Sequence, residues 1–297
     1  MTTQTSTVTS HALTGTELAS RARSRKALKV GRIAVLVIFT LFVLLPIIFM
    51  LSTSLKDQIE IRTTGALFPQ SGLYVINWFY AWTTVPLALY LTNSTIVALV
   101  STAIVLLIAV PTTYAIVRFK IGGEILPSMI LGGYVMPPIV VSIPIFMMIK
   151  SLGLPDTKIG MILVHIILNA PIAVWLLDSF VRTIPKELEE AAWIDGYSRF
   201  DTLFKVVLPL IRPGLISVGI ICMILSWNEF LMALLITSSP QGGQTFPVGV
   251  ARYTGQHGLQ FGEMSAAALS GMIPIYILVF IFQRYVVSGL TRGGVKG

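Results

Sequence analysis

The chain has 297 residues, of which 11% are charged and 55% hydrophobic, with a mean hydropathy of +0.83. A soluble domain carries about a quarter charged residues, so this composition excludes a soluble globular protein and indicates a polytopic membrane protein. One cysteine, Cys222, excludes an internal disulfide framework, three scattered histidines give no metal-ligand spacing, and the net charge of +8 marks topology rather than a nucleic-acid surface.

Apolar runs of roughly 20 residues cross a hydrocarbon core about 30 Å thick, and six are expected: 33–54, 89–117, 125–149, 159–181, 213–236 and 265–283. Residues 1–15, rich in Thr and Ser, read as disordered. The basic stretch 21–32 sets topology or meets anionic headgroups, and its long polar head argues against a cleavable signal. After the first span, Trp78 and Trp82 stand four residues apart on one helical face. They suit a headgroup-level anchor, with a substrate-stacking role as the alternative. The second span contains Asn93 and closes on Arg118, an inside anchor. Pro137, Pro138 and Pro144 interrupt the third, freeing backbone carbonyls at a gate or a fixed kink. The fourth carries Asn169 near Pro171.

A polar island then separates two apolar segments. Pro185 suits a helix start, with Glu187, Glu189 and Glu190 in the first turns. Leu188, Ala191, Ala192 and Asp195 are expected on one face, and Gly196 as a left-handed stop. Ser198 caps a second short helix carrying Phe200, Leu203, Phe204 and Val207, which Pro209 is expected to end. In the fifth span Glu229 lies roughly 24 Å along the helix at 1.5 Å per residue, in the outer half. The segment 237–264, with Gln241, Gly242, Gly243 and Gln244, is too polar to span and too rich in glycine for a long helix. Residues 289–297 read as a flexible, basic tail.

With the N-terminus inside, 16 of the 21 Lys and Arg residues fall on the inner side and 5 on the outer. The positive-inside rule then sets both termini, and the island, in the cytoplasm. The expected organisation is an all-α fold: a tail over 1–32, a six-helix membrane domain over 33–288 with a cytoplasmic loop at 183–212 and an external loop at 237–264, and a tail over 289–297.

Glu190-Ala191-Ala192, three residues, Gly196, nine residues, Val206, one residue, then Leu208-Pro209 resembles the EAA loop of ATP-binding-cassette importer permeases. The likeness is closest to the smaller permease subunit of maltose- and trehalose-type carbohydrate importers and covers nearly all of the chain beyond residue 30. Tyr114-Ala115-Ile116-Val117-Arg118-Phe119 and Trp227-Asn228-Glu229-Phe230 are also similar to runs in that family. The resemblance implies a multi-pass protein of the bacterial cytoplasmic membrane that works with a second permease subunit, two ATPase subunits and an extracytoplasmic sugar-binding protein. It implies coupling to the ATPase through Glu190, Ala191, Ala192, Asp195, Gly196, Leu208 and Pro209. ATP and Mg would be held by the partner ATPase, since this chain has no Gly-Lys-Ser/Thr pattern and hence no P-loop. Asn228, Glu229 and Asn169 are candidates for a sugar path, with interhelical hydrogen bonding as the alternative. Gln241, Gly242, Gly243 and Gln244 are candidates for contact with the binding protein. The implied cargo is a di- or oligosaccharide, with a polyol or glycerol phosphate as the alternative within the family. An ion-coupled secondary transporter is the rival class, but no internal repeat or paired intramembrane charge is found.

Overall fold

In hydrocarbon no water is available to a backbone amide, so a chain of this composition satisfies its peptide groups within helices. The computed structural model describes residues 15–123, 125–255 and 258–294 and is helical almost throughout. Residues 1–14, expected to be disordered, lie outside the described residues. The chain divides into two compact units, residues 1–52 and 53–297.

In the first unit α1 (Gly15–Ser54) begins well before the expected span and passes through Pro46. Its side chains over 33–45 are apolar but for Thr40 and exposed on all sides, Phe39 and Phe42 among them. Such a helix suits a lipid or protein environment rather than water.

In the second unit α4 (Leu87–Phe119) packs along α7 (Lys158–Arg182), and α10 (Leu208–Asn228) lies against both. Val105, Ala109 and Tyr114 of α4 meet Ala173, Leu177 and Val181 of α7 and Ile211, Val218 and Cys222 of α10 in one buried cluster. The last helix, α13 (Phe261–Gly294), packs on α10. Among the described residues, five helices are long and apolar enough to cross a membrane, or six if the bent pair counts as one span.

The second and fourth spans match their helices to within two residues at each end. The third does not. It is two helices, α5 (Ile125–Val135) and α6 (Pro138–Ser151), meeting at 99°. Two consecutive prolines remove two N–H donors, and Pro137 is extended at φ −56°, ψ 130°, as residues before proline prefer. Pro144, by contrast, lies inside α6 without ending it. The fifth span also needs correction: its helix stops at Asn228, and α11 (Leu231–Ile236) follows after a break at Glu229-Phe230. The sixth runs beyond its expected end, so residues 289–294 are helical rather than a loose tail. Residues 295–297 of that expected tail lie outside the described residues.

The segment 237–264 is more than a connector. It holds α12 (Phe246–Ala251) and a small antiparallel pair, β1 (Thr254–Gly255) and β2 (Gly258–Leu259). Alongside it lie α2 (Gln58–Thr63) and α3 (Ile76–Thr83). The α2 residue Glu60 is buried and accepts from the Ser71 hydroxyl and, at 2.8 Å, from the Gln70 amide. Those donors hold its carboxyl below the usual carboxylate range despite burial. On α3, Asn77 donates to the carbonyls of Ser54 at 3.1 Å and Lys56 at 2.8 Å. The two tryptophans expected to act as one anchor divide: Trp78 is half-buried and donates to Ser54 Oγ at 3.2 Å, whereas Trp82 is exposed.

Candidate functional site

The loop joining α7 to α10 is built from short-range signals. Its first helix, α8 (Lys186–Ile194), starts after Pro185. It ends in a Schellman arrangement, in which the Gly196 amide donates to Trp193 O at 3.1 Å and the Tyr197 amide to Ala192 O at 2.9 Å. Gly196 sits at φ +88°, the left-handed conformation expected of it. Ser198 then caps α9 (Arg199–Thr202) through its hydroxyl, which accepts from the Asp201 amide at 3.1 Å.

Pro209 is not a breaker. The chain passes from α9 through a π-helical turn, Leu203–Val207, directly into α10, with Leu208 and Pro209 in its first turn. The helix is continuous here, the Leu208 amide donating to Leu203 O, and the wider turn before Pro209 accommodates its ring and missing N–H.

The expected single face of α8 is split. Ala191 and Asp195 are exposed, as is Leu188, whereas Ala192 is buried. Glu190 is exposed; its neighbour Glu189 is the buried acid, 1% accessible, with Arg118 Nε 2.6 Å from its Oε1. Ile194 and Phe200 stand outermost at 86% and 71% exposure. The arrangement leaves Ala191, Ile194 and Phe200 exposed among outward acids while the Glu189 carboxylate is held inward.

Asn169 and Glu229 meet at one cavity, of about 440 Å³, lined also by Tyr134, Pro138, Pro144, Pro171 and Leu225. Asn169 donates to Ser226 Oγ at 2.8 Å. Glu229 caps α11, its oxygens accepting from the Met232 amide at 2.7 Å and the Ala233 amide at 3.1 Å. The role of Glu229 was not legible, because the break that creates this helix start does not register in hydropathy. Asn228 is placed apart from them: it borders a second cavity, of about 520 Å³, with Trp227, Phe246 and Tyr276, and donates back to Ile224 O at 2.8 Å. Asn228 therefore bonds within its own helix, and the interhelical hydrogen bond is made by Asn169 to Ser226 instead. Glu229→Gln retains one carbonyl acceptor and should assemble nearly normally. Glu229→Leu removes both and should lower stability by about 1–2 kcal/mol, a typical loss for an N-cap. The amount of folded chain recovered after graded heating in detergent checks this.

The four residues expected to face a binding protein are mostly internal. Gln241 is exposed, but Gly242, Gly243 and Gln244 are buried, Gln244 at 0%. The amide of Gln244 donates from its side chain to Thr237 O at 3.1 Å and accepts from Tyr90 OH at 3.3 Å. Asn93, also buried, donates to Pro240 O at 2.7 Å and Gln244 O at 2.9 Å. Polarity here reflects paired burial rather than exposure. The turn is clamped further by Asp156, which sits at φ +55° and accepts from the Ser238 and Ser239 amides at 2.8 and 3.0 Å. Burial alone would raise its carboxyl; the Ser239 and Ser238 amides outweigh it and hold it below the usual range. A Cβ on Gly242 would collide with the Asp156 carboxylate. No motif announces Asp156, since its partners lie some eighty residues downstream.

Comparison with known proteins agrees with this architecture. Residues 106–292 match the family model described as binding-protein-dependent transport system inner membrane component. The chain is 38% identical to the sulfoquinovosyl glycerol transport system permease protein of Agrobacterium fabrum, over 86% of this chain and 89% of that one. It is 38% identical to the trehalose/maltose transport system permease protein of Thermococcus litoralis, over 70% and 75% of the two chains. A chain in the crystal structure of a bacterial ABC transporter that imports alginate has the same fold, with a TM-score of 0.73 at 20% identity, covering 89% of this chain and 98% of that one. The chain belongs to the family of inner membrane components of binding-protein-dependent transport systems.

Proposed function

We propose that this chain is the smaller permease subunit of an ATP-driven importer that carries a di- or oligosaccharide inward. Its partners in this reading are a second permease, two ATPase subunits that bind ATP and Mg, and an extracytoplasmic sugar-binding protein. The observation that carries the reading is the α8–α9 loop: Ala191, Ile194 and Phe200 are exposed beside the outward acids Glu187, Glu190 and Asp195, on a short helix pair held by the Gly196 turn. A face of that kind suits a cleft on a soluble partner and has no use inside the bilayer. The carbohydrate cargo is supported by the relatives, whose names specify trehalose/maltose and sulfoquinovosyl glycerol transport. The cavity of about 440 Å³ that Asn169 and Glu229 border is a stretch of the sugar path in this reading. Its size falls within the range of small-ligand sites, about 300–1,000 Å³.

Uptake of labelled di- and oligosaccharides by cells lacking the chain tests this. Loss of one sugar, restored by supplying the chain, is the expected result; unchanged uptake of every sugar overturns it. Topology offers a second check. Both termini and the α8–α9 loop lie in the cytoplasm in this reading. A cysteine at Gln241 should therefore react with an impermeant maleimide in intact cells, and one at Ile194 only after lysis. Gln241 suits the external probe because it is exposed, whereas Gln244 beside it is buried. The native Cys222 is buried too and should stay silent. Protection of Gln241→Cys in intact cells contradicts the topology.

A further inference from the structure

We propose that Glu189, Arg118 and Tyr114 form a strut that carries movement of the α8–α9 loop into α4, which makes Glu189 and Arg118 positioning residues for coupling. The inference rests on the reading of this loop as the ATPase dock.

Both oxygens of Glu189 are engaged. Oε1 accepts from Arg118 Nε at 2.6 Å and Oε2 from Tyr114 OH at 2.9 Å. The two donors stand four residues apart on α4, one turn from each other on the same face. Arg118 reaches further, donating from its second guanidinium nitrogen to Val181 O at 3.0 Å and Ile184 O at 2.7 Å. One buried guanidinium thus joins the last turn of α4, the end of α7 and the start of α8. Among the described residues of α8, Glu189 is the acid turned inward, while Glu187 and Glu190 face out.

Apolar contacts are non-directional and permit sliding. A two-oxygen carboxylate gripped by two donors permits neither rotation nor translation without breaking a charge-assisted bond. Removing one member strands a charge away from water, a strongly unfavourable state. The strut therefore favours α8 and the end of α4 moving as one body. The outward face of the loop, with Ala191 and Ile194, stays free for a partner. Docking and transmission accordingly reside on opposite sides of one short helix, and mutation should separate them.

Spin labels at Ile121→Cys, just beyond α4, and Lys186→Cys, at the start of α8, test this in the complex purified with its ATPase and reconstituted in lipid. Both positions are exposed. In the otherwise wild-type complex the distance between labels should be the same without nucleotide and with ATP. In Glu189→Gln it should shift or broaden with ATP, and uptake should fall roughly tenfold or more, as expected when a buried ion pair loses one partner. The ATPase should remain bound and keep hydrolysing ATP. A merely structural role would instead lower assembly and hydrolysis together. If Glu189→Gln does not assemble, Tyr114→Phe takes its place, since it keeps the ion pair while releasing one oxygen. The strut is overturned by a distance that changes with ATP in the wild-type background, or by normal uptake in the variant used. A wild-type chain that retains no ATPase refutes the importer reading itself, and the strut with it.

Discussion

Gly196→Asp is expected to abolish uptake while leaving the amount of chain in the membrane unchanged. Gly196 lies at φ +88°, where a side chain costs about 1–2 kcal/mol. No atom stands within 4 Å of the position a Cβ would take, so crowding adds nothing to that backbone cost. The change therefore acts on the turn that orients α8 against α9, and it adds a charge beside the outward face. Gly196→Ala, which carries the backbone cost alone, should retain partial uptake. The two alanines separate in the same assay. Ala191→Glu puts a charge on an exposed face and should weaken partner retention without disturbing the loop. Ala192→Glu forces a carboxylate into a buried position and should disorder the loop itself. Quantifying membrane-inserted chain and sugar uptake side by side checks these outcomes, and normal uptake in Gly196→Asp would sink the coupling role.

Asn93→Leu should produce the largest loss of stability outside that loop. Its side-chain amide serves the carbonyls of Pro240 and Gln244, and Leu of similar size leaves both without that donor. Pro240 O keeps the Gly243 amide at 3.2 Å, whereas Gln244 O loses its donor, and a buried acceptor left unpaired costs about 1–3 kcal/mol, a large share of the stability margin of many folded domains. The outer turn would open, releasing Gln244 and the Phe246 amide that Ser94 Oγ holds at 2.7 Å. The expected result is a sharp fall in recovered complex and in its thermal midpoint in detergent. An unchanged midpoint would show that α4 does not hold this turn. Asn93 is thereby a structural residue in this account, not part of a sugar path.

These two residues also mark how much the sequence discloses. The 158–182 helix was legible because an apolar run ends in charge at each side, the 87–119 helix because a long apolar run follows Pro86 and closes on Arg118, and the Gly196 stop because few residues adopt that backbone. The bends at Pro137 and Glu229 were only partly legible. Proline announces a lost donor, but whether a helix kinks or turns through 99° depends on what packs against it. Glu229 read as a charge within a span, whereas a carboxylate that caps a fresh helix start changes where the span ends. The choice between Glu189 and Glu190 was beyond local pattern: adjacent acids on a short helix look alike until Arg118, seventy residues away, fixes which faces inward. Gln244 misled for the same reason. A polar residue in a glycine-rich segment suggests exposure, and only the distant Tyr90 and Asn93 make its burial affordable.

In this reading the outward face of the α8–α9 loop holds an ATPase. The most direct test is the amount of ATPase retained on the affinity-tagged chain in mild detergent, compared between wild type and Ile194→Asp/Phe200→Asp. Both substituted residues are exposed, so the changes leave the core untouched. Stoichiometric ATPase is expected on the wild-type chain, and its loss from the double variant. No ATPase on the wild type, or equal retention on both, would contradict it.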